Sequence, residues 1–169
     1  MSSMRNAKTL LGAEIERLRF FDWAYGRLTE SDADIGAIGE FMVGRTLGCL
    51  HKARKVNDIF DLIDRDGTTI EVKTTTKRSR MRNGELLYRW SIMDQRTALD
   101  GKRALAQRWY FLVAEFPKDS RRVNALDTKW WKVYVLTGEQ VRSANNKRVI
   151  TESTMRRLSV SPIPPAPIR

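Results

Sequence analysis

Two carboxylates and one amine near the middle of the chain, Asp61, Glu71 and Lys73, are residue types that can hold a metal ion and activate water. Glu71 and Lys73 are two positions apart, so their side chains share one face if the segment is a strand. Whether Asp61 joins them depends on how its own segment pairs with theirs. The register of that pairing therefore decides whether the three residues can act together.

The turn at residues 65–67 allows two registers. A two-residue turn at Asp66-Gly67 would set Leu62 opposite Glu71 and Asp61 opposite Val72. Both faces of the hairpin would then mix carboxylates with aliphatic side chains. That arrangement separates the two acids.

A three-residue loop with Gly67 in the left-handed conformation pairs apolar residues with one another. The pairs are Phe60 with Val72 and Leu62 with Ile70. Asp61 then lies directly across from Glu71, with β-carbons roughly 5 Å apart, and Lys73 shares their face. Because one face becomes wholly apolar, the sequence favours this register.

Two carboxylates at close range repel each other unless a cation lies between them. Mg²⁺ suits such a site because it takes oxygen ligands and keeps several waters, and Mn²⁺ would substitute for it. The expected ligands are Asp61, Glu71 and the main-chain carbonyl of Val72. Lys73 would orient or deprotonate the attacking water and offset charge in the transition state. We expect metal-assisted hydrolysis of a phosphodiester.

The elements that must position these residues can be predicted from periodicity. We expect strands at 59–64, 68–75, 86–93, 110–116 and 131–136, where β-branched and aromatic residues are enriched. An amphipathic helix is expected over 7–23, a capping box at 137–140 opens a short helix, and 151–158 contains a helical turn.

A further helix is expected from Asp32 or Asp34, either of which can be its N-cap, to about residue 50. On one side of it, Glu40 belongs to a stripe with four-residue spacing whose other members are Gly36, Gly44 and Gly48. Glycine in a helix costs about 1 kcal/mol relative to alanine. The stripe therefore suggests close approach of another backbone, with Glu40 pointing into that seam.

The chain is strongly basic, with 31 Lys and Arg against 20 Asp and Glu and a formal net charge of +11. Nucleic acid is the first partner class that such a charge indicates. The basic residues form short clusters at 77–82, 121–122, 129 with 132, 147–148 and 156–157. Lys77, Arg78 and Arg80 are the expected phosphate contacts in the first cluster. Merely well-solvated surfaces also carry such clusters, so charge indicates only the partner class.

Composition excludes several other sites. Cys49 is the single cysteine and His51 the single histidine, so neither an internal disulfide nor a Cys/His zinc cluster can form. No apolar run approaches ~20 residues and the N-terminus lacks a secretory h-region, so we expect a cytoplasmic protein without a membrane partner. With 169 residues, one domain is the expectation.

At this point the order of motifs resembles that of a known family. A helix with Glu40, then Phe60-Asp61, then residues 71–73 after a hairpin is similar to the PD-(D/E)XK nuclease superfamily, closely over roughly residues 32–75. The resemblance implies an α/β fold with a restriction-endonuclease-like mixed central β-sheet flanked by helices, preceded here by an N-terminal helix. The expected divisions are a helical extension at 1–30, the nuclease domain at 31–160 and a Pro-rich tail at 161–169.

The same resemblance implies roles for individual residues. Asp61 and Glu71 correspond to its metal ligands and Lys73 to its catalytic lysine, whereas Glu40 corresponds to a helix acid that supports metal or water. Phe60 stands where the motif has proline, a frequent departure. Some members place glutamine or serine after the third core strand, where it can touch substrate or water. Ser91 and Gln95 hold such positions here.

We therefore expect a Mg²⁺-dependent DNA endonuclease, either restriction-type or structure-specific, and a Holliday-junction resolvase also fits. A homodimer is expected because one site cuts one strand and a two-fold pair cuts a duplex. One alternative is a non-catalytic nucleic-acid-binding module on the same fold. Another is a basic subunit that docks on an acidic protein.

Overall fold

A computed structural model describes residues 35–47, 50–52, 60–101, 105–116, 127–144 and 148–164. The helix expected over 7–23, the whole extension 1–30 and residues 165–169 of the tail lie outside the described residues. The expected domain boundaries therefore stay predictions.

The described elements are eight strands, four α-helices and two 3-10 turns. The first half contains helix α1 (Ile35–Leu47) and strands β1 (Leu50–Lys52), β2 (Leu62–Asp64), β3 (Thr69–Thr75), β4 (Arg78–Arg80) and β5 (Leu86–Ser91). A 3-10 turn (Met93–Gln95), helix α2 (Arg96–Leu99), strand β6 (Arg108–Ala114) and a second 3-10 turn (Thr128–Trp130) follow. The last elements are β7 (Trp131–Thr137), α3 (Gly138–Ser143), β8 (Val149–Thr151) and α4 (Glu152–Arg157).

All five expected strands are present, with altered ends. Helix α3 begins as predicted, since the Thr137 hydroxyl accepts a hydrogen bond from the Gln140 amide at 3.2 Å and the Gln140 side chain accepts one from the Thr137 amide at 2.8 Å. Helix α4 confirms the helical turn expected over 151–158. The strands β1, β4 and β8 were not predicted, because three residues are too few to show a period of two.

The strands form two sheets. The larger has the order β1-β2-β3-β6-β7, in which only β3 and β6 run parallel, and the smaller is antiparallel with the order β4-β5-β8. This mixed sheet with flanking helices confirms the α/β class.

The loop between β2 and β3 has the predicted three-residue form. Leu62 pairs with Ile70, and the Asp64 amide donates to the Thr68 carbonyl at 2.9 Å across the loop. Gly67 has φ of 84°, the left-handed region that glycine adopts without a steric penalty. The predicted register is therefore confirmed over residues 62–64.

Strand β2 begins at Leu62, three residues later than the predicted start at 59. The Asp61 amide donates to the Ile70 carbonyl at 2.9 Å, and the Asp61 carboxylate accepts a hydrogen bond from the Val72 amide at 2.8 Å. The Asp61 side chain thus takes the place of a main-chain acceptor for the Val72 amide, and the β2–β3 ladder stops at Leu62. Phe60 then packs against the opposite core from Val72, so the predicted Phe60–Val72 pair is wrong.

Two hydrophobic cores cover the two faces of the large sheet. Alternation along β3 turns Ile70 and Val72 toward α1, where Ile38, Met42 and Leu62 complete the first core. The positions that alternate with them, Glu71 and Lys73, lie beside Trp109 and Phe111 of β6, which belong to the second core. The small sheet covers that core with Trp90 and Ile150.

Helix α1 lies close against β3 at Gly39. A β-carbon at this position would overlap the Thr74 hydroxyl and lie 3.2 Å from the Thr74 β-carbon. A close approach thus occurs at Gly39, which is not a member of the predicted stripe. The approach expected along Gly36, Gly44 and Gly48 stays a prediction.

We predict that Gly39→Ala lowers the free energy of unfolding by about 1–3 kcal/mol, as overpacked cores do. At an exposed helix position the same substitution would raise it by about 1 kcal/mol. Chemical denaturation of Gly39→Ala, Thr74→Ala and the double variant measures the coupling. A cost that remains undiminished in the Thr74→Ala background would contradict the contact.

Candidate active site

Glu71 is the least exposed acidic or basic residue of the described chain. Its side chain is 2% exposed, on the strand that lies between β2 and β6. One carboxylate oxygen, Oε1, accepts hydrogen bonds from Lys73 Nζ at 2.8 Å and from Gln95 Nε2 at 3.2 Å. A buried charge is tolerated only with such partners. The structure thus brings Gln95, a predicted site residue, to the predicted Glu71–Lys73 pair.

Asp61 is half-buried and is held by the main chain of β3. Its Oδ2 accepts the Val72 amide at 2.8 Å, so its carboxylate lies beside the residue that separates Glu71 from Lys73. The amide and carbonyl of one strand residue point to the same edge. The Val72 carbonyl is therefore directed to the edge at which Asp61 lies, as its predicted role requires.

These groups can be tested against the needs of a divalent ion. Asp61, Glu71 and the Val72 carbonyl supply only oxygen atoms, which are the ligands that Mg²⁺ prefers. Across the described ranges, no three Asp, Glu, His or Cys side chains gather as a metal-binding group. Mg²⁺ is commonly held by one or two carboxylates, with waters and substrate phosphates completing its shell. The residues fit such a two-carboxylate site.

Glu40 lies on α1, directly after the Gly39 contact with Thr74. It is partly buried, and its Oε2 atom is removed from solvent. Helix α1 covers the face of β3 that carries Val72 and Thr74, whereas Glu71 and Lys73 alternate to the other face. The role of Glu40 as a supporting acid stays a prediction.

The other predicted substrate contacts lie on or beside the small sheet. Ser91 is exposed at the end of β5, where it pairs with Val149. Lys77 is exposed just before β4, and Arg78 and Arg80 are exposed on it. The structure places these four residues at the surface, whereas the Glu71 carboxylate is buried.

A polar cluster surrounds Glu115, directly after β6, and was not predicted from the sequence. Glu115 Oε1 accepts hydrogen bonds from the Tyr88 hydroxyl and from Lys132 Nζ, each at 2.9 Å, and Arg78 Nη2 is 4.0 Å away. The Arg78 guanidinium also lies 4.9 Å from the centre of the Tyr88 ring, a cation–π contact. Since 27 and 17 positions separate the hydrogen-bonded pairs, only the fold joins them.

This cluster shifts two pKa values. The hydrogen bond from Lys132 holds the pKa of the Glu115 carboxyl below its usual value, although partial burial opposes the effect. Burial raises the pKa of the Tyr88 hydroxyl, and the hydrogen bond to Glu115 adds to the increase. Glu115 is therefore expected to be ionised and Tyr88 neutral at pH 7.

Comparison with known proteins adds no relative. No protein-family model matches this sequence, and no curated protein is significantly similar to it. None of the described helices is long and apolar enough to cross a membrane. Function must therefore be inferred from the chemistry of the site.

We predict that Lys73→Met lowers the free energy of unfolding by up to about 3 kcal/mol, because it removes the ammonium group that compensates a buried carboxylate. The partial exposure of Lys73, 18% of its side chain, keeps the expected loss toward the lower end for buried pairs. Denaturation in urea at pH 7 measures the loss. Glu71→Gln in the same chain should recover most of it, and failure to recover would show that the pair is not the cause.

We predict that Glu115→Gln removes part of the acid sensitivity of the fold. The folded chain lowers the pKa of Glu115 from its ordinary value of 4.5. Ionised Glu115 therefore stabilises the fold at pH values above 4.5. That stabilisation is lost as the pH falls through the lower, folded pKa. Unfolding midpoints between pH 7 and pH 3 should therefore fall less steeply in Glu115→Gln than in wild type. Glu139→Gln, at an exposed position of α3, is the control, and equal slopes in all three proteins would contradict the shift.

Proposed function

We propose that this protein is a Mg²⁺-dependent DNA endonuclease that hydrolyses phosphodiester bonds. The observation that supports it best is the buried Glu71 carboxylate, bonded to Lys73 and Gln95 on a strand whose Val72 amide holds Asp61. Glu71, Val72 and Lys73 thus supply a carboxylate, a carbonyl and an amine in consecutive positions. Asp61, which is hydrogen-bonded to Val72, supplies a second carboxylate. The mixed sheet with flanking helices is the kind of architecture that a restriction-endonuclease-like fold requires.

Each residue has a distinct part in the proposed reaction. A bound Mg²⁺ would supply Lewis-acid activation of water and of the scissile phosphate. Asp61 and Glu71 would hold the ion with their carboxylates, and the Val72 carbonyl would be the third protein ligand. Lys73 orients the attacking water and offsets the charge that develops on the phosphate oxygens. Gln95 fixes the position of the Glu71 carboxylate.

The net charge of +11 supports a polyanionic substrate. Restriction-type cleavage and cleavage of a branched structure, including a Holliday junction, use the same chemistry. The proposal includes the expected homodimer, in which two sites cut the two strands, and a cytoplasmic location.

A non-catalytic nucleic-acid-binding module is the second candidate. It is favoured by the direct Lys73–Glu71 ion pair at 2.8 Å, which compensates Glu71 by itself. This module would bind DNA with strong salt dependence and would not turn over.

We predict that Lys73→Ala reduces Mg²⁺-dependent cleavage of supercoiled and linear DNA by at least about 100-fold, as loss of a group that stabilises transition-state charge does. Gel electrophoresis of the nicked and linear products over time measures the cleavage rate. Lys129→Ala is the matched control, because Lys129 is an exposed lysine paired with Asp127 at 2.9 Å.

Two results would contradict the nuclease. One is wild-type protein that binds DNA but leaves it intact with saturating Mg²⁺ or Mn²⁺, which would favour the binding module. The other is equal cleavage by wild type and Lys73→Ala, which would place the activity elsewhere or in a contaminant.

A further inference from the structure

A basic hairpin, defined here as residues 77–91, follows directly after the strand that carries Glu71 and Lys73. It contains five basic residues and one acidic residue, a net charge of +4. Its turn closes with the Met81 amide donating to the Glu85 carbonyl at 2.8 Å, and Gly84 has φ of 83°. The tip of this hairpin is exposed from Arg82 to Leu86.

Carboxylates from outside the hairpin hold its base. Glu115, after β6, accepts the Tyr88 hydroxyl at 2.9 Å, and Glu152 of α4 accepts the Tyr88 amide at 3.0 Å. The one acid of the hairpin, Glu85, pairs with Arg156 of α4 at 3.2 Å. Contacts with two other parts of the fold, the segment after β6 and helix α4, therefore fix its orientation.

The arginines of the hairpin differ in what surrounds them. Arg78 lies over the Tyr88 ring and 4.0 Å from Glu115, so a carboxylate already compensates it in part. Arg80 and Arg82 are exposed, and within the described chain no ion pair includes either. The cross-strand neighbour of Arg80 is Leu86, an apolar residue that is 50% exposed. Positive charge is therefore left uncompensated at the tip.

The tip is within reach of a duplex that occupies the proposed site. Arg80 lies seven positions after Lys73, and a segment of that length spans at most roughly 25 Å. At 3.4 Å of helix axis for each base pair, this distance corresponds to roughly seven base pairs. The hairpin could touch DNA beside the bond being cut, within one helical turn of it.

We propose that Arg80 and Arg82 bind backbone phosphates of duplex DNA flanking the scissile bond, whereas Arg78 contacts Tyr88 within the hairpin and Glu115 outside it. The position beside the cut rests on the proposed nuclease function, but the duplex-binding surface itself does not. Charge complementarity assigns the partner, because the tip combines exposed arginines with no uncompensated acid.

The test compares Arg80→Gln/Arg82→Gln with the control Arg65→Gln/Arg142→Gln, which removes the same charge from the other end of the large sheet. Arg65 is in the β2–β3 loop and Arg142 is on α3, and both are exposed. Fluorescence anisotropy with a labelled 20-base-pair duplex, in the absence of divalent metal, measures affinity from 50 to 200 mM salt. Near-ultraviolet circular dichroism confirms that each variant is folded.

The hairpin variant should bind about tenfold or more weakly at 100 mM salt, and the slope of log K against log salt should be about 2 smaller, since each lost phosphate contact contributes about 0.9. The control should stay within a few tenths of the wild-type slope. Equal losses in the two variants would overturn the proposal, because total charge would then explain binding. No loss in the hairpin variant would overturn it as well.

The outcomes separate this proposal from the nuclease. If wild type cleaves DNA and the hairpin variant binds it normally, the hairpin proposal fails and the nuclease stands. If wild type binds through the hairpin without cleaving, the nuclease fails and the duplex-binding surface stands. Displacement of the duplex by poly-L-glutamate at matched charge would overturn a nucleic-acid partner in favour of an acidic protein.

Discussion

A carboxylate buried in the middle of a sheet constrains the structure around it. Glu71 is 2% exposed, and a charge removed from water is costly unless nearby groups compensate it. Lys73 supplies the opposite charge from the same strand face, and Gln95 supplies a further donor from the 3-10 turn after β5. The small sheet must therefore pack over the large one, because only then does Gln95 reach Glu71.

The opposite edge of β3 is organised by Asp61. Its carboxylate replaces a main-chain acceptor for the Val72 amide, so β2 begins only at Leu62. The Val72 carbonyl is directed to the same edge as its amide. On the α1 side, the approach of Gly39 to Thr74 seats the helix on the first core. The strand is thus fixed on both faces, so Glu71 and the Asp61 carboxylate bonded to the Val72 amide can hold defined positions.

Sequence reasoning succeeds here where one periodicity decides the outcome. The side-chain period of two, with the left-handed Gly67, was sufficient to predict the β2–β3 register. It failed at Phe60, because it assumed that the ladder continues, whereas the Asp61 side chain ends it. The Glu115 cluster could not be predicted either, since Tyr88 and Lys132 meet Glu115 only through the folded chain. Short strands such as β4 carry too few residues to show any period.

In the proposed nuclease, Asp61 and Glu71 hold a divalent cation. Anomalous diffraction from a crystal soaked in Mn²⁺, with an Asp61→Asn crystal as control, tests it most directly. We predict one strong peak for each chain between the two carboxylates and beside the Val72 carbonyl, absent from the control. A wild-type crystal without a peak at that position, at saturating Mn²⁺, would contradict the claim.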